Sequence, residues 1–456
     1  MKICAYVQDS YAKANYKNEC LDTRQFVGLR IIIQCLENAG YSVDWAGLAT
    51  VHNYDIVLVS LTSDCDWWSF IGERQKWQKG DYKVLIGGAG VLHITPFTRW
   101  FYAAMFGRGE DLIVPLVKGI ETGNRYGSDS IAYTDDFSPD KIYHIKQADE
   151  MYKGTVTLTE TKTYNECAIG CNHKCLFCGY TWHRKFISPY KDYRMGGGLF
   201  DGMEDKERAM LDLEKNDNAV NWSKLRTTAI DGFSERLRFG VNKKISKNTM
   251  QNFLRKMVES DAKPHNLKIF NICGYPTETV EDWFEYLETI KEVDAEYGKR
   301  EKKWALELHN TPFRPMPATP LACAAASKKN YRGKIGGTLG KELKGGLIYR
   351  GNAMWSVESL GTDSLPTEML SMLAHRGSET DSENIAKLCA TKKFWSASAA
   401  VKEATLTKFF DMDYIFSQFE ADTLPSRYLR TYCGVEKMWG KTPLEIEYKK
   451  RNGVGT

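Results

Sequence analysis

Cys171, Cys175 and Cys178 stand in the run Glu166-Cys-Ala-Ile-Gly-Cys-Asn-His-Lys-Cys-Leu-Phe-Cys-Gly-Tyr180, and their C-x3-C-x2-C spacing obliges the chain to bring three soft ligands onto one tight loop. Thiolates in that number suit an iron–sulfur cluster. A [4Fe–4S] cluster has four irons, so three protein ligands leave one iron for an exchangeable partner, which points to catalysis rather than electron storage. Structural zinc asks for four protein ligands, and Cys167 or His173 would have to serve as the fourth. No second cysteine pair accompanies the run, as most zinc ribbons require.

At 456 residues the chain exceeds one ordinary core, and two or three domains are expected. A net charge of +4 is mild for that length and does not mark a nucleic-acid binder. The other cysteines are scattered from Cys4 to Cys433, as thiols in a reducing compartment are. The start carries no signal-peptide pattern and no apolar run reaches the length of a membrane span, so a cytoplasmic protein with no membrane partner is expected.

The chain reads as α/β. In residues 1–125, Ile3 to Val7, Tyr41 to Trp45, Tyr54 to Leu61 and Lys83 to Gly90, the last entering a glycine-rich turn, read as strands, and Arg24 to Asn38 as a helix. Such units predict an open Rossmann-like sheet whose ligands lie beyond the carboxyl ends of the strands. Gly87, Gly88 and Gly90 let backbone approach either a ligand or a tightly packed helix, and they do not form a dinucleotide fingerprint. Residues 126–160 read as a linker. Alternation resumes over 161–320, with helices at Glu204 to Lys215, Lys247 to Ser260 (capped by Ser246) and up to about Val293. Strands fall at Leu225 to Asp231, Leu267 to Cys273 and Lys303 to Asn310. Asp231, Asn271, Glu307 and His309 fall near strand ends, where (β/α) barrels build chemistry; loop anchoring explains any one of them as well. Residues 321–456 read as mainly helical.

Cys171-x3-Cys175-x-Phe177-Cys178 resembles the signature of the radical S-adenosylmethionine superfamily, with an aromatic residue before the third cysteine. Gly274-Tyr-Pro-Thr-Glu-Thr-Val-Glu-Asp282 and Asn310-Thr-Pro-Phe-Arg-Pro-Met-Pro-Ala-Thr-Pro320 resemble segments of its subgroup with an N-terminal cobalamin-binding-type domain. Gly107-x-Gly-Glu110 is similar to the close of that domain. The resemblance covers roughly residues 1–320 and implies a central partial (β/α)6 barrel. It implies that Cys171, Cys175 and Cys178 bind three irons, that S-adenosylmethionine chelates the fourth, and that a 5′-deoxyadenosyl radical abstracts hydrogen from an unactivated carbon. By the same resemblance Phe177 and Tyr180 line the adenosine end. Asp231, Ser234, Glu235 or Arg236 hold ribose or carboxylate groups, and Asn271, Glu307 and His309 belong to the same set. Gly196 to Gly198 lack the glutamate of the superfamily's Gly-Gly-Glu motif, read as a loop before a helix, and receive no role.

For cobalamin the implied contacts are Ser60, Thr62, Gly87, Gly88 and Gly90. The D-x-H-x-x-G loop of base-on methyltransferases is absent after the first strand, where Val7-Gln-Asp-Ser-Tyr-Ala12 stands instead. With cobalamin, methylation of carbon is the expected reaction; without it, a rearrangement or dehydrogenation is. The electron would come from an external carrier such as flavodoxin or ferredoxin. Lys328 to Arg350 is basic, glycine-rich and tyrosine-bearing. Its Lys334, Lys341 and Lys344 suit phosphate contacts, although a solvated basic face reads the same way. The substrate therefore stays open among a nucleic-acid base, a small molecule and a peptide side chain. An Fe–S electron-transfer or regulatory protein is the non-enzymatic alternative.

Overall fold

The computed structural model describes residues 1–6, 27–159, 162–188, 195–200, 222–223, 225–327, 347–360, 365–391 and 394–453. The expected helix at Glu204–Lys215 and the basic positions Lys334, Lys341 and Lys344 lie outside them.

The first sheet is built from β1 (Ile3–Tyr6), β2 (Val43–Ala46), β3 (Ile56–Ser60), β4 (Lys83–Gly87), β5 (Ala103–Met105) and β6 (Ile131–Tyr133), in the order β2-β1-β3-β4-β5-β6. All pairings are parallel except β5 with β6. Apart from the edge strand β2, where Asp44 and Trp45 are exposed, the strands are short and apolar because both faces are covered. Ile3, Ala5, Ile56, Leu58 and Leu85 face one layer, α1 (Val27–Asn38) and its neighbours. Cys4, Tyr6, Val57, Val59, Val84 and Ile86 face the other. That second layer contains α2 (Asp64–Arg74), whose Ser63 and Asp66 form a capping box. The helix α3 (Glu110–Glu121) follows β5. Because β6 joins this sheet as its antiparallel edge, the first unit runs past the expected boundary at 125, and part of the expected linker is structural.

Beyond β7 (Tyr143–His144), β8 (Val156–Thr159), β9 (Lys162–Cys171) and β10 (Met195–Phe200) form an antiparallel sheet with β9 central. Gly196 to Gly198 therefore sit in a strand, not in a loop before a helix. After the short α4 (Gly179–Trp182) come β11 (Thr227–Ala229), α5 (Glu235–Gly240), α6 (Lys247–Glu259), β12 (Asn266–Cys273), α7 (Val280–Asp294) and β13 (Trp304–Pro312), then β14 (Leu347–Tyr349) and β15 (Met354–Leu360). These strands pair in the order β11-β12-β13-β15-β14, parallel except for β14. The described strands of the middle region thus form two sheets with no shared ladder, where one partial barrel was expected. The parallel sheet also takes strands from beyond residue 320.

Helices dominate after that: α8 (Leu365–Arg376), α9 (Asp381–Ala390), α10 (Ala399–Phe409), α11 (Met412–Phe416) and, past β16 (Leu429–Arg430), α12 (Pro443–Asn452). Their core is continuous with the first sheet. Met369, Leu370 and Leu373 pack with Trp67 and Phe97, and the Trp68 indole N–H donates to Leu370 O at 3.0 Å. The carboxyl-terminal helices therefore cover the outer layer of the first sheet. Among the described residues no helix is long and apolar enough to cross a membrane.

Candidate active site

Strand β9 delivers Cys171 into the cysteine loop. Gly170 precedes it at φ +70°, and a Cβ there would lie 2.9 Å from Lys185 O and 3.0 Å from Arg184 O, so only glycine fits. The loop is folded by its own hydrogen bonds. The Thr181 hydroxyl donates to Cys171 O at 2.7 Å and accepts from the Lys174 N–H at 3.3 Å. Trp182 Nε1–H donates to Cys175 O at 2.8 Å and the Cys178 N–H to the same oxygen at 3.1 Å. Leu176 N–H donates to Val241 O, and Asn242 Nδ2–H to Lys174 O, both at 2.9 Å.

This loop lies against the carboxyl ends of three parallel strands. Asp231 follows β11 at φ +54° and pairs with Lys243 at 3.1 Å. Tyr275 follows β12 and donates to Asp231 O at 2.9 Å. Phe313 follows β13, its ring 4.9 Å from that of Tyr275. Leu176, Trp182, Tyr275 and Phe313 share one core, with Phe177 partly buried against it.

The segment from Arg314 to Leu321 contains Pro315, Pro317 and Pro320, which have no N–H and cannot extend a ladder. Its carbonyls find side-chain donors instead. Pro315 O is 2.9 Å from His375 Nδ1, Pro317 O is 2.9 Å from His183 Nε2, and Thr319 O accepts from Trp439 Nε1–H at 2.9 Å. Leu321 N–H then donates to Leu176 O in the cysteine loop. This proline strap joins the loop to the first sheet and to the carboxyl-terminal helices.

Burial pushes the Cys175 thiol up to about 12, with Asp231, Cys178 and Cys171 adding to the rise and Lys243 opposing it. Burial also raises Cys178. A bound cation reverses that preference and deprotonates the thiols. Among the described residues no three His, Cys, Asp or Glu side chains are grouped so as to hold a metal ion. Cys167 has no described side chain.

A cavity of ≈ 310 Å³ lies between the carboxyl edge of the first sheet and the elements that flank the cysteine loop, β9 and α4; the three cysteines are not in its lining. Ser60, Gly87 and Gly88 line one side; Tyr180, His183 and Arg184 line the other. Arg108 grips Glu166 through two nitrogens, at 2.7 and 3.0 Å, on the cavity wall. Of the expected cobalamin contacts, Gly90 is not in the lining, and Thr62 turns its hydroxyl to Asp66 at 2.7 Å. Gly88 and Gly90 are glycines for packing: a Cβ would lie 2.3 Å from Leu61 O and 2.5 Å from Ser63 O, respectively.

The other expected residues divide. Tyr180 lines the cavity with Arg184 4.6 Å over its ring, and Asp231 lies at the loop. Ser234 caps α5 and donates to Asp282. Arg236 binds Asp282 at 2.6 Å and Glu447 at 3.1 Å, and Glu235 accepts from the Lys247 N–H at 2.6 Å. These three anchor helices. Asn271 shares the helix-packed side of β12 with Ile269 and Cys273 and donates to Asn310 at 3.0 Å. Glu307 and His309 alternate onto the other face, 3.6 Å apart, where Phe270 is 41% exposed. Tyr275, Lys243, His183 and the Arg108–Glu166 pair were not anticipated. Tyr275 had a signal, its place in the Gly-Tyr-Pro turn; Lys243 had none.

Compared with known proteins, the chain matches no family model, and no curated protein matches it significantly.

Proposed function

We propose that this chain is a radical S-adenosylmethionine-type enzyme in which Cys171, Cys175 and Cys178 hold a [4Fe–4S] cluster. The observation that carries the reading is the seating of a C-x3-C-x2-C loop at the carboxyl ends of three parallel strands, next to a cavity shared with a second parallel sheet. When bound, the cluster and S-adenosylmethionine supply one-electron cleavage of a sulfonium and hydrogen abstraction from carbon. The protein's own part is positioning and exclusion. Leu176, Trp182, Tyr275 and Phe313 keep water from the loop, and Asp231 and Lys243 set its local charge. Tyr180 and Phe177 offer rings to an adenosine, and Glu307 and His309 face the open side of the parallel sheet.

The cavity between the loop and the first sheet suits a second cofactor, for which cobalamin is the proposal; Ser60, Gly87 and Gly88 would meet it. Carbon methylation is then the preferred reaction. An external one-electron carrier supplies the electron, and the substrate is a small molecule, a nucleic-acid base or a peptide side chain.

The test is mass spectrometry of anaerobically reconstituted protein incubated with S-adenosylmethionine and a strong reductant. Release of 5′-deoxyadenosine is expected, accompanied by S-adenosylhomocysteine if methyl transfer operates. 5′-Deoxyadenosine alone would favour rearrangement or dehydrogenation. Iron-loaded protein that releases neither product would end the enzyme reading and leave an electron-transfer role; zinc without iron would end the cluster reading as well.

A further inference from the structure

Behind the cavity, four elements place charged and titratable groups in one buried cluster. Asp64 comes from the first turn of α2, His93 from the 3-10 turn Ala89–His93, Arg314 from the start of the proline strap, and His375 from the end of α8. The His93 and His375 rings stack at 4.2 Å with 20° between their planes. Asp64 Oδ2 lies 3.2 Å from His375 Nε2 and 3.8 Å from Arg314 Nη1. His375 Nδ1 is 2.9 Å from Pro315 O. Both ring nitrogens of His375 thus lie near oxygens. His93 is 3% exposed, and its Nδ1 is buried without a hydrogen-bond partner.

One carboxylate, Asp64, faces both Arg314 and His375. A proton on His93 would place a buried cation against the His375 ring. The groups that face His93 are His375 from α8, Asp64 from α2 and, on the α4 side, His183. His183 is neutral, its value held down to about 4 chiefly by burial.

We propose that the Asp64–His375–His93 stack is a proton-operated latch on the proline strap: uptake of a proton by His93 releases the strap from the carboxyl edge of the first sheet. Release reaches the cysteine loop directly, because the strap also holds His183 through Pro317 O and the loop through Leu321. The latch rests on these contacts alone and does not depend on the cluster.

The sign follows from His93. Burial first, and the neighbouring His375 next, hold it well below the ordinary value of 6.5. An opened latch frees the ring to bind a proton in the ordinary range. The latch is therefore intact above that value and weakens as pH falls below it, by about tenfold in the opening equilibrium per pH unit until the closed-state value is reached.

Hydrogen exchange of the full-length, anaerobically purified chain tests this at about pH 7.5 and about pH 5.5, after correction for the intrinsic rate. Peptides of the strap and of α8 are expected to lose about tenfold in protection, while those of α7 serve as reference and do not. His93→Phe keeps a planar ring and cannot take the proton, so its strap is expected to be equally protected at both pH values. His93→Asn serves if that variant does not fold. A wild-type strap whose protection does not change relative to α7 would overturn the latch, and so would a His93 variant that keeps the wild-type loss.

Discussion

At the carboxyl edge of the first sheet, the turn after β3 is held by Asp66. Its Oδ2 accepts from the Thr62 N–H at 2.6 Å, the Thr62 hydroxyl at 2.7 Å and the Ser63 N–H at 2.9 Å. At the carboxyl edge of the second parallel sheet, the turn after β12 is held by Glu278. Its Oε2 accepts from the Gly274 and Tyr275 N–H groups at 2.8 and 3.2 Å, while Oε1 is buried without a partner. Both carboxylates cap a strand–helix turn, yet Asp66 gathers three donors on one oxygen while Glu278 leaves Oε1 buried without any. A buried carboxylate oxygen without a donor carries a stability cost that capping the turn alone does not explain.

The contrast is broken most sharply at the thiols. Cys175→Ala is expected to reduce cluster iron to background and abolish 5′-deoxyadenosine release, with the far-ultraviolet spectrum unchanged. Full iron retention would show that Cys175 is an ordinary core residue. Next in size is Trp67→Ala. Its indole is fully buried, stacks on Phe97 at 4.5 Å and donates to Gly90 O at 2.8 Å. Removing it should cost about 3–5 kcal/mol, and both the first sheet and the carboxyl-terminal helices should loosen together in denaturant. Separate transitions for the two would contradict their common core.

A glycine pair separates framework from cavity within the first edge. Gly88 sits at φ +100° with Leu61 O where a Cβ would go, whereas at Gly87 a Cβ meets only Met105 at 3.5 Å. Gly88→Ala should therefore destabilise by about 1–3 kcal/mol from backbone strain, with steric overlap added. Gly87→Ala should leave the unfolding midpoint nearly unchanged while weakening cobalamin binding, read by absorbance titration. Equal stability of the two variants would remove the packing explanation of Gly88.

Much of this framework was legible in the sequence. The strands at Ile3, Tyr54 and Lys83 declare themselves as short apolar runs because both of their faces are buried, and Ser246 caps α6 as its position predicts, accepting from the Thr249 N–H at 3.0 Å. The cysteine loop was legible through spacing alone. What stayed hidden depends on partners distant in sequence. Ser234 and Arg236 looked like ligand-binding groups because the Asp282 and Glu447 that engage them come from two later helices. Asn271 seemed to face the site because a strand end is easier to read than which face a residue takes, and a one-residue difference in parity moves a side chain across the sheet. The strap carbonyls needed donors, but nothing local shows that His183, His375 and Trp439 supply them.

The smallest expected effect tests the spare group itself. Burial, as the leading cause, holds the Glu278 carboxyl well above the ordinary value of 4.5, against the lowering effect of the Tyr275 and Gly274 N–H groups. The folded state therefore binds this proton more tightly than the unfolded chain does. Stability from Glu278 is complete below the ordinary value and is lost as pH rises toward the folded one, at up to about 1.4 kcal/mol per pH unit. Glu278→Gln keeps an oxygen for the two N–H groups and cannot ionise, so its stability should stay flat where the wild type declines. Urea unfolding at about pH 5 and about pH 6 should therefore show the variant gaining on the wild type by about 1 kcal/mol. Parallel pH profiles for the two proteins would mean that Glu278 Oε1 finds a partner, and that Glu278 is as well met as Asp66 Oδ2.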